Sequence, residues 1–283
     1  MRILVVGAGF VGSATAERLV GRGHEVTVTT TTGAKVPDLA ARFGNAVVLR
    51  GSDRDSVHAA VAGADAVVVT AGPSAQASMT PEGRASYREI LVETAENVVS
   101  APGTAHLVAL SSLSVYGSAA NHLDVVDEDS PTTDSADPSP SNFLAMERTY
   151  LSRSERAAVL RCGDIYGPGD PPLRDKIAMA HQYLGGSVPF SGEALLYRLH
   201  VDDAADAVVH VLDHRLTGLF NLTHVEVPPT NATLFDRLSA EIGKPALDYR
   251  DEIAAPTRPV SVQRLVSSGF TPSRSFDAAL TAD

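Results

Sequence analysis

Three glycines near the N-terminus constrain this chain more than any other feature. Gly7-Ala8-Gly9-Phe10-Val11-Gly12 follows the apolar run Ile3–Val6 and opens a helix-like segment, Phe10–Arg22. With this spacing Gly7 permits a tight strand-to-helix turn. Gly9 lets the backbone approach a pyrophosphate, and Gly12 lets the helix pack closely on the strand. The helix N-terminus then presents free N–H groups and the positive end of its dipole to phosphate oxygens. Phe10 and Val11, inside the turn, complete a candidate dinucleotide site. The alternative is a bare structural turn.

The surrounding pattern favours the site. Short unbroken apolar runs recur at Val26–Val28, Ala46–Leu49, Ala66–Val69 and Leu107–Leu110. Such runs suit strands buried on both faces of a parallel sheet. Helix-like segments at Asp53–Ala62 and Pro81–Ser100 alternate with them. The expected fold is α/β, a Rossmann-type doubly wound parallel sheet with a smaller C-terminal substrate lobe. Residues 1–163 are assigned to the dinucleotide-binding domain. Residues 164–283 are assigned mainly to the lobe, with some elements returning to the sheet. Between them Ser118–Ser141 is rich in Asp, Ser, Thr and Pro and has no Lys or Arg. It reads as a long surface loop, either a lid or a passive excursion. Helical character returns at Asn142–Arg153, Leu173–Leu184, Asp202–His214 and Thr233–Ile242.

The end of the second strand bears on which dinucleotide is bound. NAD sites usually place Asp or Glu there to accept from the ribose 2′-hydroxyl. Here the stretch is Thr29-Thr30-Thr31-Thr32-Gly33-Ala34-Lys35. Without a carboxylate a 2′-phosphate meets no repulsion, and Thr30, Thr31 and Lys35 could hold it. The reading leans to NADP, with NAD as the alternative cofactor and Lys35 as a solvated loop lysine in that case.

Several motifs together resemble the extended short-chain dehydrogenase/reductases, the NAD-dependent epimerase/dehydratase family. They are Gly7–Gly12, Ala71-Gly72 after the fourth strand, and Ser111-Ser112-Leu113-Ser114-Val115-Tyr116-Gly117 after the fifth. Leu160-Arg161-Cys162-Gly163-Asp164-Ile165-Tyr166-Gly167-Pro168-Gly169 and His200-Val201-Asp202-Asp203 extend the match over nearly the whole chain. The resemblance implies that Ser112 hydrogen-bonds the reacting oxygen. It also implies that Ser52 or Asp53 contacts adenine, and that Ala71 and Gly72 border the cofactor. Asp202 is read as a helix N-cap rather than an acid. The family further implies a homodimer through long helices such as Pro81–Ser100.

One departure stands out. The family expects Tyr-x-x-x-Lys on the helix after the acidic loop, tyrosine as general acid/base and lysine lowering its pKa. In one register this pair becomes Asn142 and Met146. In the register set by Glu147 it becomes Ser139 and Phe143. The chain therefore resembles an atypical member. Tyr116 and Tyr166, in loops near strand C-termini, are candidate replacement acids, with simple packing as the alternative for each.

Composition excludes several classes. The 283 residues carry a net charge of -11 and no long basic tract, which disfavours nucleic acid and anionic membranes as partners. The lone cysteine, Cys162, cannot form an intrachain disulfide and follows an apolar run, so it reads as a buried structural thiol. No metal-ligand cluster and no signal or membrane segment are evident, and the cytoplasm is the expected location. The favoured function is an NAD(P)-dependent reductase- or epimerase-like enzyme acting on a small hydroxylated or carbonyl substrate. The alternatives are a non-catalytic NAD(P)-binding sensor and a non-redox isomerase or lyase.

Overall fold

The computed structural model describes residues 1–73, 80–103 and 105–274. The chain forms two compact units that interleave along the sequence. The first is Met1–Ser112, Ala136–Arg161 and Val201–Phe220. The second is Leu113–Ser135, Cys162–His200 and Asn221–Asp283.

The first unit opens β1 (Arg2–Val6), α1 (Phe10–Gly21), β2 (Glu25–Thr30), α2 (Val36–Phe43), β3 (Asn45–Val48), α3 (Arg54–Val61) and β4 (Ala66–Val69). Helix α2 was not foreseen; Pro37 sits in its first turn, where no N–H is needed. The expected helix Pro81–Ser100 is a run of three segments: α4 (Pro81–Tyr87), a π-helical segment Arg88–Glu93, and α5 (Thr94–Ser100). Then come β5 (His106–Ser112), α6 (Pro138–Arg153) and β6 (Ala157–Cys162). α6 starts four residues before the expected Asn142. Asp137 caps it, accepting from Ser139 N at 2.9 Å, and Pro138 and Pro140 fit an N-terminal turn. α8 (Val201–Asp213) and β10 (Gly218–Leu222) complete the layer after β7 (Asp164–Tyr166), α7 (Leu173–Tyr183), β8 (Ser187–Phe190) and β9 (Arg198–His200).

The seven-stranded sheet has the order β10-β6-β5-β4-β1-β2-β3. Pairings from β5 to β3 are parallel, for example Ile3↔Val26 and Ile3↔Ala66. The order reverses between β1 and β4, the switch point where open α/β sheets bind ligands at strand C-termini. Val5, Val28, Val67, Val68 and Val108 are wholly buried, as both-face coverage requires. On one face Leu4, Val6, Val67, Val69 and Leu107 pack with Val57, Leu91, Met146 and Tyr150. α1 and α8 pack together, and Arg18 ties them by pairing with Asp202 at 2.9 Å and Asp206 at 2.5 Å.

The second unit has its own core of Leu173, Ile177, Val188, Leu234, Phe235 and Leu247. It also contains α9 (Asn231–Glu241), β11 (Asp248–Ile253) and α10 (Gln263–Ser267), with β11 paired to β8 and β7 paired to β9. Among the described residues no helix is long and apolar enough to cross a membrane.

Candidate functional site

The glycine turn has the geometry that a phosphate cradle requires. Gly7 has φ +99°, a conformation that excludes ordinary side chains, and an added Cβ would lie 2.9 Å from the Ala71 backbone. At Gly12 a Cβ would lie 1.9 Å from the Gly7 carbonyl oxygen and 2.5 Å from Thr70 Oγ1, so α1 can seat only on glycine. Gly9 is different: nothing lies within 4 Å of a Cβ there. Threonines hold the turn from both sides. Thr29 Oγ1 accepts from Gly7 N at 2.9 Å, its carbonyl accepts from Ala8 N at 2.7 Å, and Thr70 Oγ1 donates to Gly7 O at 2.8 Å. Gly9 caps α1 with no side-chain hydrogen bond, and the first turn has no acidic residue. The first N–H groups of α1 have no intrahelical acceptor and face an open position. An anionic pyrophosphate fits that combination of space, donors and dipole. Phe10 is 43% exposed at the first helical position, while Val11 is buried beneath it.

Around the turn the other candidates are distributed unevenly. Thr30 ends β2 half-buried, and Thr31 is exposed beyond it. Lys35 closes the short turn Gly33–Lys35 and is exposed. Ala71 donates its N–H to Val6 O at 3.0 Å, at the switch point, and Gly72 beyond it is exposed. Ser52 donates its hydroxyl to Glu89 Oε1 at 2.8 Å, on the π-helical segment. Asp53 caps α3: its carboxylate accepts from Ser56 N at 3.2 Å and Ser56 Oγ at 2.7 Å. Those bonds hold its pKa below the usual carboxylate value, the Ser56 hydroxyl contributing most. Capping thus occupies the aspartate read as an adenine contact. Asp202, read as an N-cap, lies inside the first turn of α8 with its carboxylate on Arg18.

Ser112 ends β5 half-buried, at the C-terminal edge of the sheet. Its neighbour Ser111 donates to Glu147 Oε1 at 2.6 Å, and Arg161 grips both oxygens of Glu147 at 3.0 and 2.7 Å. Both charged side chains are at most 5% exposed. This buried fork joins β5, α6 and β6 and escaped the sequence reading. Its signal was an arginine inside the otherwise apolar strand Ala157–Cys162.

α6 has no lysine. In the first register Asn142 folds its amide onto Pro138 O at 2.7 Å, and Met146 is 1% exposed in the core. In the second, Ser139 stands in the first turn and Phe143 packs against the core. The one tyrosine of α6, Tyr150, is wholly buried, and its hydroxyl has no hydrogen-bond partner among the described residues. Burial pushes its pKa up, away from any acid/base role near neutrality.

In the second unit Tyr116 is wholly buried. Its hydroxyl lies 2.7 Å from Asn221 Oδ1 and 2.8 Å from Asp127 O, so its single proton is committed internally. Tyr166 is 3% exposed; the Arg198 guanidinium lies 4.4 Å from its ring centroid, and His200 meets it edge-on at 5.1 Å. Arg198 also pairs with Asp170 at 3.3 Å and Asp164 at 3.5 Å. The acidic stretch after Gly117 is anchored. Glu128 accepts from Asn221 N at 2.7 Å, Asn121 Oδ1 accepts from Thr257 N at 2.9 Å, and Val126 bridges Val260. Cys162 is buried and its thiol is pushed up to about 12, as a structural thiol should be.

The NAD dependent epimerase/dehydratase family model matches residues 3–222. A 3-diazoavenalumate denitrifying reductase from Streptomyces sp is 31% identical over 241 residues, 81% of this chain and 78% of that protein. MoeE5 in complex with UDP-glucuronic acid and NAD superposes with TM-score 0.76 at 24% identity, covering 100% of this chain and 97% of the other. The human epimerase family protein SDR39U1 with NADPH gives 0.70 at 23%, with coverages of 100% and 97%. UDP-glucose 4-epimerase from Thermotoga maritima with UDP-glucose gives 0.76 at 18%, with the same coverages. These three structures speak to the fold. With the family model spanning most of the chain and a reductase aligned over four-fifths of it, the protein belongs to the NAD-dependent epimerase/dehydratase family.

Proposed function

We propose that this protein is an NADPH-dependent reductase that delivers hydride to a small, electron-poor organic acceptor without a proton relay from its own side chains. The observation that carries the reading is α6, which has no lysine and whose only tyrosine is sealed in the core. Reducing a carbonyl needs hydride and a proton together, and the usual donor pair has no counterpart there. Reducing an aryl diazonium needs hydride alone: the C–N bond breaks, a C–H bond forms, and dinitrogen leaves with no proton on either side. The relative named for denitrifying reduction of a diazo compound supports this substrate class.

The bound nicotinamide would supply the hydride. The Gly7–Gly12 turn and the N-terminus of α1 would hold the pyrophosphate, and Thr30, Thr31 and Lys35 the 2′-phosphate that distinguishes NADP from NAD. Ala71 and Gly72 would border the cofactor at the switch point. Ser112 would orient a polar group of the acceptor. Tyr116 is set aside because its proton is committed, and hydride delivery to a diazonium asks no proton of Tyr166. A homodimer through the 81–100 helical run belongs to the same reading and is checked by sedimentation.

The test is proton stoichiometry. NADPH oxidation is followed in weakly buffered solution with a panel of aryl diazonium salts, ketones and sugar nucleotides. Turnover of a diazonium with one dinitrogen per NADPH and no proton uptake is expected, unchanged in Tyr166→Phe and cut about tenfold or more in Ser112→Ala. Turnover confined to ketones or sugar nucleotides, with one proton taken up per hydride, would sink the reading. Tight NADPH binding with no oxidation across the panel would favour the sensor instead.

A further inference from the structure

We propose that Arg50, on the turn leaving β3, is a specificity-determining residue that reads the 2′-phosphate of NADP beside Lys35. This rests on the NADP preference proposed above and assigns it a second cation. β2 and β3 pair in parallel as far as Thr30↔Val48, and Leu49 N extends the ladder by donating to Thr30 O at 2.9 Å. Arg50 is thus the first residue past the sheet on β3, next to the hydroxyl-bearing residues that leave β2.

Side-chain alternation gives its face. Leu49 is buried, whereas Val48 and Arg50 on either side of it are exposed. A Cβ added to Gly33 would lie 3.8 Å from Val48 Cγ2, so the Gly33–Lys35 turn lies against the Val48 face. Arg50, two residues on, continues that face. The edge also carries the phosphate cradle, since Thr29 at the end of β2 holds Gly7 and Ala8.

Charge makes the position specific. Among the described residues neither the Arg50 guanidinium nor the Lys35 ammonium has a hydrogen bond or ion pair. Two nearby carboxylates are engaged: Asp53 by Ser56, and Glu89 by Ser52. The two cations stand beside exposed threonines in a chain of net charge -11. A phosphate suits them because the planar guanidinium can donate two parallel hydrogen bonds to its oxygens. A ribose hydroxyl, which NAD carries at that position, offers no charge to match.

Calorimetric titration of the full chain with 2′,5′-ADP and with 5′-AMP isolates this contact, because neither probe carries nicotinamide. The wild type should bind 2′,5′-ADP about 10- to 100-fold more tightly than 5′-AMP, the range of charge-assisted hydrogen bonds. Arg50→Ala should lose about tenfold for 2′,5′-ADP and nothing for 5′-AMP, Arg50→Lys should lose less, and the thermal midpoint should not move. Equal affinities in the wild type would overturn both the NADP preference and the role of Arg50. A wild-type preference kept in full by Arg50→Ala but lost in Lys35→Ala would leave the NADP preference standing and overturn Arg50 alone. Equal weakening of both probes by Arg50→Ala would overturn it as well.

Discussion

Gly9→Val should abolish dinucleotide binding while leaving the protein folded. Gly9 has φ -86° and ψ -152°, an extended conformation open to any residue, and an added Cβ meets no atom within 4 Å. The folded chain therefore accepts the side chain. Two opposing effects on stability remain. Restricting the unfolded backbone favours the variant by about 0.4–1 kcal/mol. Replacing a glycine N-cap by valine disfavours it by a comparable amount, roughly 1 kcal/mol. The midpoint of thermal unfolding should move by no more than about 4 °C. Binding responds differently, because in the proposed reading the open position is where a pyrophosphate would approach the N–H groups of α1. Each hydrogen bond to a charged group contributes about 1.5–3 kcal/mol, so losing two weakens binding by roughly 10²–10⁴-fold. Gly12→Val is the contrast. Its Cβ would fall 1.9 Å from Gly7 O, α1 would have to lift off the turn, and stability and binding should fail together. The assays are calorimetric titration with NADPH and a thermal melt of each variant. A folded Gly9→Val protein binding NADPH within threefold of wild type would refute the cradle.

Three further outcomes follow from burial. Glu147→Gln should destabilise by about 3–5 kcal/mol, because it removes the carboxylate charge that the buried Arg161 guanidinium faces, and Glu147→Gln/Arg161→Met should recover part of that, both read from urea unfolding at pH 7. Tyr150→Phe removes a buried hydroxyl that has no partner among the described residues, so stability should hold or rise by about 1 kcal/mol with turnover unchanged; a large loss of turnover would return Tyr150 to the chemistry. The Cys162 thiol, raised from 9.0 to about 12, stays protonated in the folded chain while the unfolded chain ionises. Its contribution is therefore full below about pH 9 and fades as pH rises toward 12, by up to about 1.4 kcal/mol per pH unit. Cys162→Ala should flatten that part of the stability profile, and the native thiol should resist alkylation at pH 8.

What could be read from residues alone divides along physical lines. The strands of the parallel sheet announced themselves because burial on both faces leaves runs such as Ala66–Val69 with no polar residue. The glycine turn was legible because its demands are steric and local, and Gly7 and Gly12 meet them in the structure. The start of α6 was not, because Pro138 and Pro140 read as loop signals until Asp137 is seen to cap the helix over them. Asp53 and Tyr116 carry chemistry in their formulae but spend it on Ser56, Asn221 and Asp127, which depends on distant or capping partners that spacing does not reveal. The fork between Glu147 and Arg161 spans 14 residues and three elements, and only the tertiary fold brings its ends together. Arg50 was not singled out from the sequence, because only the pairing of Thr30 with Val48 brings the end of β3 beside the end of β2.

The interleaving of the two units has a consequence for how the chain is made. The backbone passes from one unit to the other after residues 112, 135, 161, 200 and 220, five crossings in all. On a ribosome the N-terminal stretch through β5 emerges first with an open flank, since β6 and the edge strand β10, Gly218–Leu222, are still unsynthesised. Unpaired strand flanks of this kind are where nascent chains associate wrongly. The interval before Leu222 emerges is therefore the period of greatest exposure to misassembly, and the one in which a chaperone has most to shield. No single cut in the gene releases the first unit whole, so this protein is inherited, and would have to be recombined, as one piece.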